Sequence, residues 1–129
     1  STPVCGEVSL TSIKFAKDGF KLTNKMKDDI RDTAAMISAW ACSDIVIFGY
    51  ASADDSKSQQ KSLPNKRAQA VATYLKTSLE GMNVYIYVTA KGKGLIKTGK
   101  AANNRKVTIS SLLPVSESDF RSQVICLCA

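Results

Sequence analysis

Apolar and polar positions along this chain alternate in blocks that switch between strand-like and helix-like periods. Glu7 to Phe15 alternates, with Val8, Leu10 and Ser12 on one side and Ser9, Thr11 and Ile13 on the other, which predicts a first strand. Lys17-Asp18-Gly19 carries turn chemistry. Met26, Ile30, Ala34, Ile37 and Ala41 then recur every three or four residues. Lys25, Lys27, Asp28, Arg31 and Asp32 fill the intervening positions, so the spacing predicts an amphipathic helix capped at Thr23 or Asn24 and ending near Trp40–Cys42. Ile45-Val46-Ile47-Phe48-Gly49-Tyr50 is continuously apolar, the pattern of a strand buried on both faces. A polar loop over 51–62 follows and reads as solvated. Pro64 suits a first helical turn, and Ala68, Val71, Ala72, Leu75 and Leu79 form the stripe of a second helix stopped by Glu80-Gly81.

Val84 to Ala90 predicts a third strand, with Tyr85 and Tyr87 on one face and Val84, Ile86 and Val88 on the other. Residues 91–104 read as a flexible basic loop, and 105–110 as a fourth strand with Val107 and Ile109 inward, closed by Pro114. The tail over 116–129 is expected to begin with a short helix and end in the apolar piece Val124–Cys128. The order β-α-β-α-β-β implies an α/β sandwich: a mixed sheet with two helices packed on one face, parallel pairing through the helical crossovers and a hairpin for the last two strands.

Composition narrows the picture. A chain of 129 residues suffices for one domain burying roughly two-thirds of its unfolded surface. At 44% apolar and 22% charged residues it reads as globular. No run approaches the ~18 apolar residues of a membrane span. No leader is visible at Ser1–Cys5, which leaves a cytosolic protein or a mature or trimmed fragment. The net charge of +7 suits an anionic partner but also a merely basic surface. Histidine is absent, which excludes Ser-His-Asp, Cys-His and HExxH chemistry. The cysteines Cys5, Cys42, Cys126 and Cys128 lack the paired spacing of a zinc site. They are candidates for a bridge from Cys5 or Cys42 to Cys126 or Cys128, against the alternative of buried free thiols. No metal, cofactor or catalytic constellation is expected.

Several pieces together resemble the OmpA-like domain, the peptidoglycan-binding module of outer membrane protein A, the peptidoglycan-associated lipoprotein and flagellar stator proteins. They are Ile13-Lys14-Phe15, Val46-Ile47-Phe48-Gly49-Tyr50, Leu63 with Arg67-Ala68 and Val71–Leu75, Lys91-Gly92-Lys93-Gly94, and Asn104-Arg105-Lys106-Val107. The resemblance spans about Glu7 to Ser111, with residues 112–129 as a tail, and implies one OmpA-like domain over 1–129. It implies a non-catalytic, periplasmic, outer-membrane-associated protein of a Gram-negative envelope, with membrane contact only through an anchor missing upstream.

The family holds the diaminopimelate of the peptidoglycan stem, an arginine gripping its carboxylate and an aspartate its ammonium. The arginine position is Arg67; the aspartate position holds Ser52, its threonine neighbour is Ala51, the loop asparagine aligns with Gln60, and an acidic position after the first strand holds Ala16. The expected ligand residues are therefore Arg67, Ser52, Asp54, Gln60, Asn104 and Arg105, with Asp54 or Asp55 able to compensate for the lost acid. Loss of the aspartate favours a structural subunit of a secretion- or conjugation-type envelope complex, partnered by its other subunits, with weakened peptidoglycan anchoring. The alternative is a working wall-tethering domain. A third reading, a nucleic-acid binder using Tyr85, Tyr87 and the basic residues near them, has the wrong element order for an RNA-recognition module and no RNP1 motif, so no nucleic acid is expected.

Overall fold

The computed structural model describes residues 7–40, 42–89 and 95–112. Strand β1 (Glu7–Lys14) leads to helix α1 (Asn24–Ala39), then β2 (Asp44–Gly49) and the short β3 (Ala51–Ser52). Helix α2 (Leu63–Ser78) follows, then β4 (Tyr85–Thr89), β5 (Leu95–Ile96), the single-turn α3 (Ala101–Asn104) and β6 (Lys106–Leu112). Four strands form a mixed sheet in the order β1-β6-β2-β4; β3 and β5 pair separately, in parallel.

Thr23 caps α1 as its pattern predicts, its hydroxyl accepting the Met26 N–H. The α1 stripe Met26, Ile30, Ala34 and Ile37 and the α2 stripe Ala68, Val71, Ala72 and Leu75 meet Ile13, Ile45, Ile47, Val107 and Ile109 in one core. Register explains the fit: Val88, Ile47 and Ile109 stand side by side across three strands, because Ile47 pairs with both neighbours. Strand β2, central in the sheet, is buried on both faces, as its unbroken apolar run requires. Helix α2 opens on Leu63-Pro64 and ends at Ser78, with Leu79 as its C-cap and Gly81 in the left-handed region at φ 85°.

Three expectations are corrected. The last two strands of the main sheet do not form a hairpin. Strand β6 runs antiparallel between β1 and β2, while β4 lies parallel to β2 on the far edge. A central slot lets β6 satisfy its backbone groups on both sides and bury Val107 and Ile109, which an edge position would not. The strict alternation of β1 fails at an irregularity between Ser9 and Thr11. Leu10 is the extra residue there, and it packs against the same core as Ile13 despite their odd spacing. The stretch read as a loop over 91–104 contains β5 and α3 within its described part. Lys91–Gly94, Pro114 and the tail lie outside the described residues.

Candidate functional site

Gly49 ends β2 at a point where the start of α2 passes directly over it. A Cβ at this position would fall 1.8 Å from the Pro64 carbonyl oxygen, so only glycine allows the approach. That contact fixes the first turn of α2, and Arg67 leaves that turn toward the sheet. Its side chain is fully buried.

All five N–H groups of Arg67 are used. Nε donates to the Gly19 carbonyl at 2.7 Å. One terminal nitrogen donates to the Tyr50 carbonyl at 3.0 Å and to Asp55 Oδ2 at 2.9 Å. The other donates to the Ala16 carbonyl at 3.2 Å and to Asp55 Oδ1 at 3.0 Å. The Phe15 ring lies 5.6 Å from the guanidinium carbon.

Asp55 is equally saturated. Besides the two bonds from Arg67, its Oδ1 accepts the Asp18 N–H and its Oδ2 the Ser52 N–H, both at 2.8 Å. The loop after β3 folds back to achieve this, the Asp55 N–H donating to the Ser52 carbonyl at 3.0 Å. Burial pushes the Asp55 carboxyl up, but Arg67 and the backbone N–H groups of Ser52 and Asp18 outweigh it and hold the carboxyl below its ordinary range. Asp18 then locks the two loops together: its carboxylate accepts the Ser56 hydroxyl at 2.6 Å and the Ser56 N–H at 2.5 Å. These bonds hold the Asp18 carboxyl below its ordinary range. Asp18 sits at φ 60°, a conformation aspartate tolerates better than most residues.

The other expected residues surround this centre. Ser52 is buried, its hydroxyl oxygen accepting the Asp54 N–H at 3.4 Å. Gln60 braces the loop, its Nε2 donating to the carbonyls of Asp55 at 2.9 Å and Ala53 at 3.2 Å. Asp54 pairs with Arg105 at 2.5 Å, and Arg105 Nε also donates to the Phe15 carbonyl at 3.0 Å. Asp54 Oδ1 is buried with no partner among the described residues. Asn104 is buried, its Nδ2 donating to the Thr98 carbonyl at 2.7 Å. Arg67 and Ser52 thus meet at a shared atom, Asp55 Oδ2. Asn104 is committed to the segment before α3.

The expected ligand set named Asp55 only as a substitute for the lost acid, and omitted Asp18 and Ser56. A signal for Asp55 did exist: with Ser52 at the position of the family's acid, Asp54 and Asp55 are the nearest carboxylates in the loop that leads to Arg67. Adjacent Asp54 and Asp55 were both in reach, and spacing could not choose between them. The solvated reading of the loop is corrected at Asp55, which is 2% exposed. Nothing in the sequence pointed to Asp18.

Cys42 is a free, half-buried thiol, and no disulfide joins described residues; Cys5, Cys126 and Cys128 lie outside them. Among the described residues no group of three or more acidic, cysteine or histidine side chains could hold a metal ion. No helix among them is long and apolar enough to cross a membrane. The aromatic face of β4 is interrupted, because the half-buried Tyr87 donates its hydroxyl to Asp44 at 3.1 Å while Tyr85 stands exposed.

The family model described as OmpA family matches residues 14–110. The fold is similar to the OmpA-like domain of FopA1 from Francisella tularensis, at 28% identity and TM-score 0.59, over 79% of this chain and 72% of that one. It is also similar to the cell wall anchor of the T6SS from Pseudomonas aeruginosa, at 16% identity and TM-score 0.59, over 78% of each chain. A third similar structure is the C-terminal domain of Helicobacter pylori MotB, at 14% identity and TM-score 0.62, over 91% of this chain and 94% of that one. No curated protein sequence matches the chain significantly.

Proposed function

The chain belongs to the OmpA family, and on that footing we propose that it is a non-catalytic, periplasmic scaffold module of a cell-envelope complex in which the Arg67 centre stabilises the fold instead of gripping a ligand. The observation carrying this reading is the complete engagement of Arg67: five donors, five internal partners and no exposed surface. An arginine that grips a stem-peptide carboxylate needs two parallel N–H groups facing solvent. Here Asp55 occupies both. Displacing it would strand a buried carboxylate, a cost of about 3–5 kcal/mol when one partner of such a pair is lost. Millimolar binding corresponds to about 4 kcal/mol in total, so displacement would consume nearly all of a ligand's affinity. Ser52, at the position of the missing acid, adds no charge to hold an ammonium.

The complex is of a secretion or conjugation type in this reading, supported by the likeness to a type VI cell wall anchor. That likeness also favours the second reading, a working wall tether with Arg105 and Asp54 contributing.

Sedimentation with purified sacculi tests the two. The native chain should remain in the supernatant at physiological salt. The double variant Ser52→Asp, Asp55→Gly restores an acid at the family position and removes the internal carboxylate. With its fold checked by circular dichroism, it should sediment and be released by free diaminopimelate. Native chain that sediments and is released by diaminopimelate overturns the proposal.

A further inference from the structure

The outer surface of the helical layer carries a groove that the Arg67 centre does not use. It runs between residues 20–22 and α2, has a volume of about 560 Å³, and is lined among others by Phe20, Leu22, Lys66, Ala70 and Tyr74. Phe20 is 44% exposed, a large apolar surface to leave in water. Its place is set from within, because the preceding residue, Gly19, gives its carbonyl to Arg67.

No carboxylate is among the residues lining the groove; Lys66 lines it, and Lys27 and Arg31 flank it at the Tyr74 ring. Lys66 Nζ lies 5.2 Å from the centre of the Phe20 ring. Lys27 Nζ and the Arg31 guanidinium lie 5.8 Å and 6.0 Å from the centre of the Tyr74 ring. Arg31 is also paired with Asp28, but Lys27 and Lys66 enter no ion pair among the described residues. Two ammonium groups are therefore parked on aromatic faces with their charge uncompensated. Cation–π contact at exposed sites is worth only about 0.5–1 kcal/mol, so both remain open to a carboxylate.

We propose that this groove docks an acidic segment of a partner protein, with an apolar side chain seated between Phe20 and Tyr74 and carboxylates meeting Lys66 and Lys27. The charge pattern selects an acidic occupant, since a basic or neutral one would leave the lysines unmatched. The spacing of the charges selects a protein segment: Lys66 and Lys27 lie against different rings, Phe20 and Tyr74, so an apolar side chain must be flanked by carboxylates, an order that a peptide fixes along its chain. Apolar anchors at helical spacing laid into such a groove are a recurrent mode of peptide recognition. The inference is independent of whether Arg67 can take a ligand.

The test titrates the isotope-labelled chain with an acidic amphipathic peptide built of glutamate, with leucine at i, i+3, i+4 and i+7. A lysine-for-glutamate version of the peptide and phosphatidylglycerol vesicles serve as the other arms. The acidic peptide should shift the amide signals of Phe20, Leu22, Lys66, Ala70 and Tyr74, and the basic peptide should not. Affinity should fall at least about tenfold in the surface variants Phe20→Ser and Lys27→Glu/Lys66→Glu, and should weaken as salt shortens the screening length. The proposal is overturned by the absence of shifts at this groove, by equal shifts with the basic peptide, by unchanged affinity in the variants, or by shifts that only the vesicles produce.

Discussion

Arg67 and Asp55 form a pair in which neither ion has an unmet hydrogen bond, and that completeness sets the consequences of changing either. A buried ion pair is a weak stabiliser relative to well-packed apolar residues, yet breaking it from one side is costly because the survivor keeps its desolvation. Asp55→Ala should therefore lower unfolding free energy by about 3–5 kcal/mol, measured by urea denaturation. Arg67→Lys should be nearly as harmful. Three ammonium donors on a thin stem cannot reach Asp55 and the carbonyls of Ala16, Gly19 and Tyr50 together. The same bonds set a pH dependence. Asp55 and Asp18 titrate lower in the folded chain than in the unfolded one. Their stabilisation is thus fully present above the unfolded carboxylate value of about 4 and is lost as pH falls through the folded values. Urea midpoints should drop between neutral pH and pH about 3, and Asp18→Asn should show a smaller drop than the native chain.

At the level of elements, the site depends on how closely α2 rides over β2. Gly49 permits a backbone approach that any side chain would obstruct. Gly49→Ala should lift the first turn of α2, pull Arg67 away from Asp55, and destabilise the fold by more than the ~1 kcal/mol typical of a substitution. A melting curve checks the loss. Hydrogen exchange should show the 52–60 loop opening at a lower free energy than the α2 core, since Ser52, Asp55 and Ser56 are held chiefly through Arg67 and Asp18. The β1 irregularity works in the opposite sense: an extra residue lets Leu10 join the core instead of wasting it on the wet face.

For the whole molecule, the net charge of +7 predicts a specific artefact. Cell-wall polymers are anionic, so a basic chain will associate with sacculi at low salt without any stem-peptide site. Raising ionic strength from about 0.01 M to about 0.15 M cuts the screening length from about 30 Å to about 8 Å. Association of the native chain should vanish over that range and ignore free diaminopimelate, whereas the Ser52→Asp, Asp55→Gly variant should keep a competitor-sensitive fraction.

Periodicity alone was enough for the layers of this fold. Met26 to Ile37 and Ala68 to Leu75 can bury a stripe only as helices, and Ile45 to Phe48 is apolar on both faces only if it lies inside a sheet. Pro64, Gly49 and Thr23 marked boundaries because each has a local conformational reason to be there. Where β6 inserts was not legible, because strand order depends on which partners compete for a slot and not on the strand's own pattern. The Asp55–Arg67 pairing was hidden for the same reason. Both residues are visible in the sequence, but a carboxylate held elsewhere in the loop would have left the arginine open. Closure required three segments, at residues 16–19, 50–56 and 67, to converge on one guanidinium, and convergence of distant segments is a property of packing that no local pattern encodes.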